Sequence, residues 1–149
     1  MATTDKYDRQ LRLWGPHGQR ALMNAKICLV NADAAGTETL KNLVLPGVGS
    51  FTIIDDKVIG TDDLECNFFV TSDSVGKLRG KVVKDLLCEL NPDVIGESIS
   101  ASISSPDICN IEFLKRFSLI IVANVIESSM RNIASLCWLH QIPFINVTT

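Results

Sequence analysis

Residues 26–56 read KICLVNADAAGTETLKNLVLPGVGSFTIIDD, and this stretch decides the fold. Ile27, Cys28, Leu29 and Val30 form an unbroken apolar run, the signature of a parallel strand covered on both faces. From Thr37 to Leu45, Leu40, Leu43 and Val44 recur at helical spacing, and Pro46-Gly47 stops the helix. Phe51, Ile53 and Ile54 make a second strand that ends on Asp55-Asp56. Strand, helix and parallel strand in so short a span predict a βαβ unit. An acidic residue closing the second strand is where such a unit places its ribose ligand.

The loop within the unit carries the functional information. A phosphate-binding turn needs G-x-G-x-x-G, because small residues let the backbone approach phosphate and the helix amides then hold it. This chain has Asn31-Ala32-Asp33-Ala34-Ala35-Gly36, and only the last glycine remains. Ala32 and Ala34 narrow the approach, and Asp33 puts a carboxylate where phosphate charge would sit. The loop therefore reads as a Rossmann-like turn without a ligand.

Outward from this unit the alternation continues. A helix is expected over Gly76–Leu90, with Val82, Val83, Leu86, Leu87 and Leu90 inward. A weak strand follows over Val94–Ser100, then a short helix near Asp107–Arg116. Leu119–Ala123 reads as a buried strand, Glu127–His140 as a helix with Ile133, Leu136 and Leu139 inward, and Phe144–Val147 as a fifth strand. This pattern predicts an α/β fold with a doubly wound parallel sheet of order 3-2-1-4-5. The expected core includes Leu29, Val30, Leu43, Ile53, Leu86, Ile121 and Leu136. Residues 58–75 read as an irregular loop with Phe68 and Phe69 as anchors and Asp62, Asp63 and Glu65 as solvated acids. The whole of 1–149 is expected to be one domain: a helical arm over 1–24, then the core over 25–149, stopping where a further loop would follow, as in a fragment or truncated product.

The arm is an addition to the minimal nucleotide-binding fold. Tyr7, Leu11 and Trp14 share one side of a helix, Gly15-Pro16 breaks it, and Pro16 can open a second helix through Asn24. Such an arm suggests a surface for a partner. From composition alone, Arg9 is a solvated helix charge.

Composition narrows the function classes. With 46% hydrophobic and 21% charged residues the chain is globular, and a net charge of −3 disfavours nucleic acid or an anionic membrane. No apolar run reaches membrane length, and the N-terminus lacks the apolar core of a signal peptide. The five cysteines are widely spaced without a zinc pattern, which implies reduced thiols. With His17 and His140 the only histidines, no nucleophilic triad can be argued.

Tyr7-Asp8-Arg9-Gln10-Leu11-Arg12-Leu13-Trp14-Gly15, followed by Gly18-Gln19 and Leu22, resembles the N-terminus of the ubiquitin-like-protein activating enzymes and their bacterial ThiF/MoeB relatives. The resemblance continues through Leu40-Lys41-Asn42-Leu43, Gly47-Val48-Gly49, Asp55, Val75-Gly76-Lys77 and Leu90-Asn91-Pro92. It implies a ThiF-type fold and a link to ATP- and magnesium-dependent adenylation of a modifier's C-terminal glycine. The chain departs from active members at the ATP site. Cys66 stands where Asn-Arg-Gln-Phe places a phosphate-binding arginine, Arg79 replaces a phosphate-binding lysine, and Asn124-Val125-Ile126, with Glu127 nearby, replaces a metal-binding aspartate. Asp55 is kept.

Residues 43–55 and Asn67-Phe68-Phe69 resemble most closely the regulatory, non-catalytic branch of the neddylation activating enzymes; the SUMO-activating branch is a poorer match. The resemblance implies a degenerate nucleotide site made of Asp33, Gly36, Asp55, Cys66 and Arg79, with no cofactor and no metal bound by this chain. It implies a catalytic subunit that carries ATP, magnesium and the thioester cysteine, a Nedd-type ubiquitin-like modifier, and a place in cytoplasm and nucleus. It also implies that Arg9 acts in trans on the partner's ATP. Two other readings stay open on the residues alone: a dinucleotide-binding enzyme domain, and an inactive truncated product.

Overall fold

The structure, a computed structural model, describes residues 6–149. Five parallel strands form one sheet: β1 (Lys26–Val30), β2 (Ser50–Ile54), β3 (Ile95–Ile99), β4 (Leu119–Ala123) and β5 (Phe144–Val147). Their order is β3-β2-β1-β4-β5, as the alternation predicts. Among the described residues six helices accompany them: α1 (Asp8–Asn24), α2 (Ala34–Val44), α3 (Thr61–Cys66), α4 (Arg79–Leu90), α5 (Ile111–Leu114) and α6 (Glu127–Leu139).

The strand periodicity sorts the core into two layers. Ile27, Leu29, Phe51, Ile53 and Ile121 point to one face and pack with Leu40 and Val44 of α2 and Val83 and Leu87 of α4. Cys28, Val30, Ile54, Ile120 and Val122 point to the other and pack with Phe113 and Leu114 of α5 and Ile133 and Cys137 of α6. Successive residues of β1 thus serve opposite layers, which is why the strand reads as an apolar run without alternation. Burial raises the thiol pKa of Cys28, as it does that of Cys137, so both stay as inert core thiols.

Several expectations need correction. Leu43, Leu86 and Leu136 sit at the margin of the core, each partly buried, while Leu40, Leu87 and Ile133 fill its centre. Leu90 and Leu139, expected inward, are exposed, and each is the last residue of its helix. Phe68 is 81% exposed, and only Phe69 is an anchor. Residues 58–75 are not wholly irregular: α3 and a 3-10 turn at Ser72–Ser74 lie within them. The helix expected from Gly76 begins at Arg79, and the one expected near Asp107–Arg116 is a single turn, α5.

The arm, α1, is divided by Gly15, whose φ of 70° and ψ of 174° interrupt the helix just before Pro16. The two helical segments are those the Gly15-Pro16 break predicts. Among the described residues no helix is long and apolar enough to cross a membrane.

Candidate functional site

Asn31, Asp33, Asp55 and Asn124 meet at the C-terminal ends of β1, β2 and β4, and each is bonded within the chain. Asn31 takes the place of the first glycine of the turn. Its φ is 72°, a left-handed conformation that asparagine tolerates better than most residues. It is buried, its Nδ2 donates to the Ala123 carbonyl at 2.7 Å, and its Oδ1 accepts from Nη2 of Arg79.

Asp33 takes the place of the second glycine and caps α2. Its Oδ1 accepts from the Gly36 amide at 2.9 Å, and its Oδ2 accepts from Asn124 Nδ2 at 2.5 Å. A carboxylate from the chain itself therefore occupies the helix N-terminus, where amides would otherwise face phosphate. Asn124, at the position where the family resemblance places a metal-binding aspartate, supplies an amide donor. An aspartate there would repel Asp33; the asparagine bonds it. Gly36 remains glycine for packing, since a Cβ would come within 2.5 Å of the Asn31 carbonyl oxygen.

Asp55 closes β2 as expected, and its side chain is fully engaged. Oδ2 accepts from the Ala32 amide at 2.9 Å and from Arg79 Nε at 2.8 Å, and Oδ1 accepts from the Lys57 amide at 2.9 Å. Both oxygens of Asp55 are thus bonded within the chain. Arg79, only 6% exposed, reaches three segments: Asp55 just after β2, Asn31 in the loop after β1 and Asp63 on α3, the last through Nη1 at 3.0 Å. Burial alone would lower its pKa, but the bonds to Asp55 and then Asp63 outweigh that and hold it raised. Asp63 is therefore an ion-pair partner and not a solvated loop acid. The positive charge of Arg79 is committed to two internal carboxylates.

Cys66 stands apart from this cluster. It lies exposed on the last turn of α3, where its Sγ meets the Asp62 carbonyl at 3.3 Å. Its neighbour Asn67 does the positioning: buried, it donates to the Ala32 carbonyl and to Thr37 Oγ1, each at 3.3 Å, and accepts from the Phe69 amide. Sequence reasoning missed Asn31, Asn67 and Asn124 as a set. The one available signal was three asparagines near strand ends and turns, where buried backbone groups need side-chain partners. Among the described residues no cluster of acidic, histidine or cysteine side chains could hold a metal. At the positions of the phosphate turn and the ribose ligand stand two carboxylates bonded within the chain, Asp33 and Asp55.

Arg9 is far simpler. It is exposed on the first half of α1 and makes no ion pair among the described residues, whereas Arg12 pairs with Asp8 at 2.9 Å.

Comparisons with known proteins agree with the architecture. The ThiF family pattern matches residues 7–149. The NEDD8-activating enzyme E1 regulatory subunit of Danio rerio is 48% identical over 140 residues, 94% of this chain and 26% of the relative. The regulatory subunit AXR1 of Arabidopsis thaliana is 43% identical over 132 residues, 89% of this chain and 24% of the relative. The SUMO-activating enzyme subunit 1 of Dictyostelium discoideum is more distant, at 32% over 139 residues. The chain spans about a quarter of the length of the neddylation relatives it matches. Among solved structures, E. coli tRNA N6-threonylcarbamoyladenosine dehydratase in complex with AMP superposes with a TM-score of 0.87 at 20% identity. That match covers 96% of this chain and 58% of the dehydratase, and at this identity it speaks for the fold alone.

Proposed function

We propose that this chain, which belongs to the ThiF family, serves as the non-catalytic half of a heterodimeric activating enzyme for a Nedd-type ubiquitin-like modifier. One observation carries the reading. The arm exposes Arg9, while at the chain's own nucleotide position Asp33 is bonded to the Gly36 amide and Asn124, and Arg79 is bonded to Asp55 and Asp63. The similarity to NEDD8-activating regulatory subunits over 94% of the chain supports the choice of modifier. On this reading ATP and magnesium are held by the catalytic subunit, this chain binds neither, and the pair works in cytoplasm and nucleus.

Arg9 supplies the chemistry that this chain still offers. A guanidinium is always charged and forked, so it can bind two phosphate oxygens and neutralise charge that builds as pyrophosphate leaves. Acting across the interface, it is independent of the state of its own chain's nucleotide position.

The test is ATP–pyrophosphate exchange by the reconstituted heterodimer at saturating modifier. Arg9→Ala leaves the fold and the heterodimer intact and lowers exchange about ten- to a thousandfold, the scale of one charged transition-state contact. Arg9→Lys recovers part of it, because the fork is lost. Exchange at the wild-type rate in Arg9→Ala reduces the chain's role to scaffolding. Calorimetry provides a second check: micromolar, magnesium-dependent ATP binding by the isolated chain would overturn the non-catalytic assignment.

A further inference from the structure

We infer that Tyr7 and Gln19 form a two-point latch that fixes the orientation of the Arg9-bearing segment, which makes them positioning residues for the step Arg9 serves; the inference rests on the trans role proposed above. The segment from Asp8 to Trp14 is too short to hold a helix by itself, since isolated helices below about 12 residues are marginal in water. Nor can the second half of α1 impose an orientation on it. The Gly15 kink breaks the helical backbone, and Pro16 has no amide with which to restore it. Side chains that reach from this segment to the rest of the chain must therefore fix Arg9.

Both ends are fixed, and at the same place. At the first, the Tyr7 ring is buried over Gly47, where a Cβ would come within 2.8 Å of the ring, and Gly47 has a φ of 93°. The Tyr7 hydroxyl donates to Asp93 Oδ2 at 3.1 Å and accepts from Asn91 Nδ2 at 3.1 Å. Asn91, itself buried, donates on to the Val44 carbonyl at 2.8 Å. At the second end, Trp14 Nε1 donates across the kink to Gln19 Oε1 at 3.0 Å, and buried Gln19 donates to the Pro46 carbonyl at 2.9 Å. Gly18 leaves room for the Trp14 ring, which a Cβ there would meet at 2.8 Å. Both anchors close on the turn Val44–Gly47.

What the latch leaves outside is informative. Tyr7 packs on Gly47 of the turn, Gln19 bonds the turn and holds Trp14, and Arg12 is paired with Asp8. Arg9 and Leu13 remain on the free side, one helical turn apart, and Leu13 is 78% exposed. An anchored segment that offers a cation beside an apolar side chain suits a charged site on another chain.

The experiment compares Tyr7→Ala, Tyr7→Phe, Gln19→Ala, Arg9→Ala and the double variant Tyr7→Ala/Arg9→Ala in the reconstituted heterodimer. Two readouts are used: pyrophosphate exchange, and amide hydrogen exchange of residues 8–14 against that of β1 and β2. Tyr7→Ala and Gln19→Ala are expected to speed amide exchange in 8–14 and leave the strands unchanged. Each lowers pyrophosphate exchange about ten- to a hundredfold, the scale of a misplaced reacting group. Tyr7→Phe keeps the ring over Gly47 and most of the rate. The double variant is no slower than Arg9→Ala, because a latch without its arginine has nothing left to position. Losses that multiply in the double variant, or amide exchange in 8–14 at the wild-type rate, overturn the latch. Wild-type pyrophosphate exchange in Arg9→Ala overturns the trans role beneath it, so the two failures are distinguishable.

Discussion

The two ends of α2 face different demands. At the N-terminus, the Gly36 amide and the Asp33, Asn124, Asp55 and Arg79 side chains bond within the chain. At the C-terminus, the carbonyls of Val44 and Pro46 accept from Asn91 and Gln19, and the turn holds an arm whose far side is free. Both ends satisfy their backbone groups, as helix ends must. They differ in what is left over: the charges of Asp33, Asp55 and Arg79 are bonded within the chain at the first, and an exposed cation, Arg9, accompanies the second. The bonded polar cluster and the turn that carries the arm thus lie at opposite ends of one helix, so one can change without the other.

The largest expected effect comes from breaking the sealed end. Arg79→Ala leaves Asp55 buried without its cation, a change that costs about 3–5 kcal/mol when one partner of a buried pair is removed. Urea unfolding measures it, and an unresolved midpoint shift would mean that Asp55 finds water. Leu40→Ala tests the rod between the two ends. A fully buried leucine loses about 2–5 kcal/mol on truncation, and Leu43→Ala, at the margin of the same layer, should lose clearly less.

A smaller change is expected at the cap. Asp33→Ala removes the acceptor for the Gly36 amide and costs about 0.5–2 kcal/mol. It should not restore ATP binding, because Arg79 stays committed to Asp55 and Asp63 and Cys66 supplies no cation. Calorimetric detection of ATP in this variant would mean that Asp33 alone excludes the nucleotide.

The smallest effect is at the gripping end and depends on pH. Asp93 is held below its ordinary pKa of 3.8 by the Lys6 hydrogen bond and then by Tyr7. A depressed carboxylate contributes stability above its unfolded pKa and loses it as pH falls through the folded value. Lys6 is raised above 10.5, chiefly by its bond to Asp93, so its contribution persists until pH rises through that higher value. Arm docking should therefore stay flat between these limits and loosen only in strong acid or strong base. Hydrogen exchange of residues 8–14 that changes near neutral pH would point to another group.

Much was legible in the sequence because periodicity is a local code. Apolar runs and helical spacing say which faces are covered, and the alternation of strands and helices leaves little freedom in sheet order, so order 3-2-1-4-5 could be read directly. The damaged turn, Asn31 to Gly36, and the break at Gly15-Pro16 were equally plain, since each depends on the conformational limits of a few adjacent residues. The same code misplaced Leu90 and Leu139, because helical spacing marks a face but not how far along the helix that face stays covered. Only the tertiary structure decided how the polar groups are partnered. Asn124 and Asp33 are 91 positions apart, and Arg79 reaches Asn31, Asp55 and Asp63 on three separate segments. Nothing in a strand or helix pattern encodes such pairings. A buried polar atom must find a partner wherever the fold brings one, and that place exists only once the strands have been ordered and the loops laid across their ends.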